Sequence, residues 1–347
     1  MHIEFKNTMC EPDYIEKIGR REDSSMYFHH PGPPRYFVGY GQHPPKVQWP
    51  NGRLVAVNIV VCYEEGSEYS VLDGDSYCDG WGEYPLSAPA GIRDLGTETH
   101  FEYGSRVGIW RIARILDRYG VQATISATAE ALARNREFTA YLRESGHEVL
   151  GHGLRWTEQW TLTREEEQDR LHRAVALFSD LLGVRPIGWN SRSYPSVNTR
   201  ELLMEEGGFL YDSDPCNDDI PYFVPTPQGR LLIVPYSKTL NDSRYLISPG
   251  YVTPEDFVQN VASYLDFLVR ECTEDQCGRM MTIALHARWT GQPNRASALE
   301  GILRTVQSRP EAMFMRRNDI ARYWMSRYPV GTKEVVAENG IQEGPPA

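Results

Sequence analysis

The stretch LVAVNIVVCYEEG, residues 54–66, sets the reading of the whole chain. Residues 54–61 are almost all β-branched or aliphatic. A run of that length and composition predicts a strand buried on both faces, as in a parallel sheet. It ends in Cys62, Tyr63, Glu64, Glu65 and Gly66. Two adjacent carboxylates at the end of a buried strand repel each other, and partial burial penalises their ionisation. Such pairs are kept where one carboxylate must hold or take a proton. The expectation is that burial and Glu65 raise the pKa of Glu64. A solvated acidic turn is the plainer alternative.

Outward from this strand, apolar runs alternate with helical periodicity to about residue 328. Further strands are expected at 123–127, 148–150, 187–189, 209–211, 231–234, 280–285 and 312–315. Helices are expected from Ser105 to Gly120, over 128–145, from the Thr163/Glu166 capping box to Gly183, over 198–206, from Thr253–Pro254 to Arg270, over 296–308 and over 318–326. Residues 66–100 form a Gly/Asp/Pro-rich insertion, and loops of that length are usually functional or disordered. Alternating βα units over about 280 residues fit an α/β fold closed into a barrel. Polar residues follow the strands in phase: Glu64 and Glu65, His152, Asn190 and Ser191, Asp212 and Asp214, His286. In a (β/α) barrel such positions meet at one face. Residues 1–50, rich in Pro, His and Tyr, read as an extended arm on the body or a neighbouring subunit, 51–328 as the catalytic barrel, and 329–347 as a tail.

Net charge is −11, from 47 acids against 36 bases. That excess speaks against nucleic acid or an anionic membrane as partner, since both favour a basic face. No apolar run approaches a membrane span, and the first residues lack the layout of a secretory signal. The six cysteines (10, 62, 78, 216, 272 and 277) have no regular spacing. They read as reduced thiols of a cytoplasmic protein.

Six motifs carry a family resemblance: CYEEGSE (62–68), FEYGSRVGIWR (101–111), GHGLRW (151–156), EEGGFLYDSD (205–214), LNDSRY (240–245) and LHARWTGQPNRASAL (285–299). Over roughly residues 35–328 the chain resembles the polysaccharide deacetylase (NodB-homology) family. It is more narrowly similar to the branch of metal-independent allantoinases and cyclic imide hydrolases. The resemblance implies a distorted (β/α)7-type barrel and a homo-oligomer, dimer or tetramer. The family's first acidic position, a general base, corresponds to Glu64. Its second, a metal ligand, corresponds to Glu65. The family's histidine pair four residues apart corresponds to His152 and Trp156, so the second ligand is missing. Either no cofactor is bound, or Glu65 and His152 hold a divalent metal such as zinc weakly. His286 corresponds to the family's general acid, and His147 reads as structural.

The reaction the resemblance implies is hydrolysis of a C–N bond in a small cyclic amide, an allantoin-like ureide or a cyclic imide. Glu64 activates water, His286 protonates the leaving nitrogen, and His152 orients Glu64 or polarises the carbonyl. Each has a duller reading: Glu65 bonding the next loop, His152 and His286 as satisfied core histidines. Substrate contacts are expected from Tyr103, Arg106, Trp156, Asn190, Asn241 and Arg244. Against these stand helix capping, a polar loop and simple packing. Arg288 and Arg295 are candidates to pair with Asp212 and Asp214. A metal-dependent N-deacetylase of an amino sugar or polysaccharide is the alternative enzyme, and an inactive binding barrel the non-enzymatic one.

Overall fold

The computed structural model describes residues 32–42, 44–84 and 86–329. Residues 32–37 belong to a short N-terminal unit, and the α/β body begins at Val38. Most of the expected arm, at 1–31, and the tail from 330 onward lie outside the described residues. Among the described residues no helix is long and apolar enough to cross a membrane.

The first strand, β1 (Val55–Tyr63), is buried along all nine residues. It is followed by β2 (Thr124–Ala127), β3 (Glu148–Gly151), β4 (Gly188–Trp189), β5 (Tyr211–Asp212), β6 (Tyr222–Thr226), β7 (Gly229–Ile233), β8 (Arg279–His286) and β9 (Ala312–Phe314). Their order is β6-β7-β5-β4-β3-β2-β1-β8, with β9 pairing the start of β1. All pairs are parallel except the β6–β7 hairpin. Beyond β7 the chain bridges to β8, where the Ala284 amide donates to the Leu240 carbonyl at 2.9 Å. The sheet thus curls into a distorted (β/α)7-type barrel, with apolar residues of the helices packed outside it.

Three elements differ from the sequence expectation. Strand β6 was not expected, because it contains Pro225 and is only partly buried. Proline lacks a ladder donor and is confined to edges, which is where β6 lies. The helix expected to start at Ser105 begins at Leu95, with the Asp94 carboxylate capping the Thr97 amide. It passes through a π turn, Gly104–Gly108, into Ile109–Tyr119. The two glycines read as breakers, yet close approach requires both. A Cβ on Gly108 would lie 2.0 Å from the Ala287 carbonyl oxygen, and one on Gly104 2.5 Å from Glu65 Oε1. The helix expected over 128–145 is divided at Asn135, whose side chain caps the second half at Phe138.

Arg317 opens the last helix, Arg317–Arg327, and is fully buried. Its Nε donates to Ser213 Oγ (2.6 Å), Nη1 to Thr282 Oγ1 (3.0 Å) and Asn58 Oδ1 (3.3 Å), and Nη2 to the carbonyls of Val234 (3.2 Å) and Pro235 (2.6 Å). One guanidinium therefore ties β1 and β8 to the ends of β5 and β7. Removing a buried charge that satisfies several acceptors leaves them all desolvated. Arg317→Met is expected to destabilise the protein by about 3 kcal/mol or more. A thermal or denaturant midpoint checks this, with the exposed Arg327→Met as the unaffected control.

Candidate active site

Side chains two apart on a strand share a face, so Cys62 and Glu64 project together from the end of β1. The β1–β8 register pairs Cys62 with His286, which brings the histidine to the same mouth. Donor atoms of Cys62, Glu64 and His286 lie within 4.8 Å of one another, all buried. Glu64 is 1 % exposed. Its Oε2 accepts from Arg288 Nη1 at 2.8 Å. Its Oε1 lies 3.4 Å from His152 Nε2 and 3.7 Å from His286 Nε2.

Both imidazoles are oriented from behind. His152 Nδ1 donates to the Asn190 carbonyl at 2.6 Å, which turns Nε2 toward Glu64. His286 Nδ1 meets Asp242 Oδ1 at 2.6 Å. Asp242 Oδ2 accepts from the His286 amide and from Thr290 Oγ1, both at 2.7 Å. Asp242 had no assigned part in the sequence reading, although it lies inside LNDSRY. The missed signal was a carboxylate beside two weaker candidates, Asn241 and Arg244.

The charges settle differently from the sequence expectation. Burial would raise the pKa of Glu64, but Arg288, His286 and His152 outweigh it and hold the carboxyl well below the usual range. Burial pushes Glu65 up to about 7, against Arg288 and with help from Glu64. The roles are reversed because Arg288 sits 2.8 Å from Glu64 but 3.6 Å from Glu65. Burial disfavours charge on His286, yet Cys62, Asp242 and Glu64 together raise it well above an ordinary imidazole. The site therefore rests as a carboxylate beside an imidazolium.

Several other residues sit elsewhere than the sequence suggested. Arg288 and Arg295 do not pair with Asp212 or Asp214. Arg288 holds Glu64, and Arg295 holds Glu83 at 2.6 Å. Asp212 takes Arg200 instead, at 3.4 Å. Arg106 is exposed and faces Glu102 at 3.7 Å, and Arg244 donates to the Pro249 carbonyl of its own loop. Tyr103 closes a helix rather than opening one, and its hydroxyl accepts from Arg111 at 2.7 Å. The Asn190 side chain donates to the Ser213 carbonyl, and Asn241 Oδ1 accepts from the Ser243 amide, so both are engaged in their loops. His147 accepts from the Ala123 amide at 3.0 Å and contacts the Tyr141 hydroxyl, a structural placement. Trp156 is buried at the site, 6.1 Å from Phe101 and under the Arg192 guanidinium at 3.8 Å.

The 66–100 insertion roofs the site. Arg288 Nε donates to the Trp81 carbonyl and Trp289 Nε1 to the Gly82 carbonyl, each at 3.0 Å. Asp79 pairs with Arg192 at 2.7 Å, both buried. No sequence pattern revealed these contacts, because each joins positions more than a hundred residues apart.

The donor set expected of a family metal does not fit. Glu65 Oε2 accepts from the Glu64 amide at 2.8 Å, and Oε1 is aimed at Gly104 and Arg288. His152 Nε2 faces Glu64, not Glu65. The second histidine position is an indole, and a fixed guanidinium already adjoins both carboxylates. One imidazole and one diverted carboxylate do not form a closed zinc site.

A family model described as polysaccharide deacetylase matches residues 98–201. A protein of Schizosaccharomyces pombe named "Putative polysaccharide deacetylase" is 32% identical over 301 residues, covering 81% of this chain and 93% of that one. The crystal structure of a "probable Polysaccharide deacetylase" from Pseudomonas aeruginosa PAO1 is 36% identical, with TM-score 0.80 over 86% of this chain and 99% of that one. The structure of Puue allantoinase is 35% identical, with TM-score 0.81 and the same coverage.

Behind His152 the loop that carries Asn190 is anchored by two neighbouring carboxylates, the buried Asp212 and the partly buried Asp214. Asp214 accepts from the Ser191 amide at 2.5 Å and from Ser191 Oγ at 2.9 Å, and its own amide donates to Asp212 Oδ1 at 2.8 Å. Burial, then Asp212, pushes Asp214 up to about 8. A carboxyl raised in the folded state binds its proton more tightly there than in the unfolded chain. Its contribution is complete below the unfolded value near 4 and is lost as pH rises through about 8. Asp214→Asn is therefore expected to lose less stability between pH 5 and pH 9 than the wild type. Melting temperature against pH reads this out, and parallel curves for the two proteins count against it.

Proposed function

The chain belongs to the polysaccharide deacetylase family, and from that premise we propose that it opens a C–N bond of a small cyclic amide, an allantoin-like ureide or a cyclic imide. As a hydrolase of carbon–nitrogen bonds it must activate water, polarise a carbonyl and protonate a leaving nitrogen. The observation that carries the reading is Glu64: a buried carboxylate with Arg288 on one oxygen and two oriented imidazoles about the other. The likeness to Puue allantoinase supports a ring substrate.

Glu64 stays ionised, so it is ready to take a proton from a water held against Oε1. The hydroxide adds to the ring carbonyl, aided by His152, and a tetrahedral oxyanion forms. The C–N bond then breaks, and His286 Nε2 gives its proton to the departing nitrogen. Asp242 steadies the imidazole throughout. As His286 loses its charge, one of the cations depressing Glu64 disappears, so the base strengthens as the acid is spent. The proton on Glu64 returns to His286 and resets the pair. A cyclic imide or ureide suits this machinery because its carbonyl is more electrophilic than an acetamide's and its leaving nitrogen is a stabler anion. Trp156, Trp289 and Phe101 are buried beside the site with the Arg288 guanidinium against their rings, flat apolar surface that suits a small ring. The reading routes no step through a metal, since Glu65 and His152, the family's ligand positions, do not converge; metal-dependent deacetylation of an amino sugar needs the second histidine that Trp156 replaces.

The test is a panel of allantoin, hydantoin, succinimide and maleimide, each with and without chelator. Ring opening of at least one, unchanged by chelator, is expected. Zinc-dependent acetate release from N-acetylglucosamine oligomers, with no ring opening, would replace this reading by the deacetylase. With a ring substrate in hand, Glu64→Gln should lower kcat at least about 10³-fold while circular dichroism shows that the protein still folds, with a lower melting temperature because the buried Arg288 loses its charge partner. Asp242→Asn should lower kcat about 10²-fold or more with little change in KM, because the imidazole loses orientation and charge rather than substrate contact.

A further inference from the structure

We infer that the mouth of the barrel holds a soft-metal site made of Cys62, Glu64 and His286, distinct from the family position, and that Zn²⁺ or Cd²⁺ bound there blocks turnover. Only the blocking effect rests on the function proposed above. The binding rests on geometry alone. Cys62 and His286 are paired neighbours on β1 and β8, and Glu64 follows two residues after Cys62 on the same face. Their sulfur, oxygen and nitrogen donors lie within 4.8 Å of one another. In a tetrahedral zinc site, bonds of about 2.0–2.3 Å place donors roughly 3.3–3.7 Å apart. Donors at the outer limit of 4.8 Å must therefore draw together by about 1.1–1.5 Å to bind the ion.

The chemistry of the set agrees. Thiolate, carboxylate and imidazole are all zinc donors, and the thiolate favours soft cations over magnesium or calcium. Asp242 occupies His286 Nδ1 and leaves Nε2 to ligate, the carboxylate–histidine–metal arrangement that fixes ligand orientation. Arg288 occupies Glu64 Oε2, so the ion takes Oε1, which lies 3.7 Å from His286 Nε2 and is shared with His152 Nε2 at 3.4 Å. On binding, the Cys62 S–H proton and the His286 Nε2 proton pass to solvent, and three coordinate bonds form. The ion then uses the oxygen that accepts water's proton and the nitrogen that protonates the leaving group. Metal and turnover are therefore mutually exclusive.

The experiment titrates Cd²⁺ alone into the full chain and follows the cadmium–thiolate charge-transfer absorption in the near ultraviolet, with calorimetry in parallel. One equivalent is expected to develop absorption that is lost in Cys62→Ala, with affinity weakened at least about 10-fold. Cys62→Ser serves as a second variant should the alanine protein fold poorly, and it should also lack the absorption. The same signal in wild type and both variants, or none in wild type, would sink the site. If no ring substrate is opened but the Cys62-dependent signal is present, the metal site stands and the hydrolase reading falls. If a ring substrate is opened, Zn²⁺ or Cd²⁺ should reduce wild-type turnover at least about 10-fold, while the turnover of Cys62→Ala, measured against its own metal-free rate, resists. Full wild-type activity at saturating Cd²⁺ overturns the blocking effect.

Discussion

The contact between Arg288 and Glu64 organises the site. Both groups are fully withdrawn from water, and ions so placed carry a desolvation penalty that only close pairing offsets. Their 2.8 Å contact does this, and although Arg288 Nη2 has no hydrogen-bond partner among the described residues, the rest of the guanidinium is held by its neighbours. Its guanidinium lies 4.3 Å from the rings of Phe101 and Trp289 and 5.1 Å from Trp156, and its Nε grips the roof at Trp81. The same residue thus keeps the base ionised, anchors the insertion over the site, and leaves Glu65 as the carboxyl whose pKa rises.

The position of the family's second histidine is filled differently. Trp156 takes that position, with the Arg192 guanidinium 3.8 Å from its ring and Arg288 5.1 Å from it. The indole face is electron-rich and accepts cations. Arg192 is balanced by Asp79 and Arg288 by Glu64 and Glu65, so the positive charge of the pocket is supplied by fixed side chains. Guanidinium groups cannot shed their protons in this range. A site built this way has charges set by side chains of the chain itself.

Much of the fold was legible because burial writes itself into sequence. The nine buried residues of β1 and the strands β2, β3, β7 and β8 announced themselves as apolar runs. The phase of Glu64, His152 and His286 with strand ends brought all three to one mouth, as a parallel barrel must. What escaped depended on partners distant in sequence. Strand β6 hid behind Pro225. The π turn hid behind Gly104 and Gly108, whose purpose is visible only once Glu65 and Ala287 lie against them. Asp242 was one polar residue among several in its loop until His286 arrived beside it. The order of the two glutamate pKa values could not be read either, since it turns on which oxygen faces Arg288.

The same register that assembles the site also limits it. Alternation on β1 sends Cys62 and Glu64 inward together, so any side chain at 62 faces the reacting groups. With cysteine, the strands deliver a third metal donor beside an oriented histidine and a carboxylate, at a point displaced from where Glu65 and His152 would have held an ion. The mouth therefore keeps ligand chemistry of its own, and the proposed hydrolysis and the proposed soft-cation site draw on the same two atoms, Glu64 Oε1 and His286 Nε2.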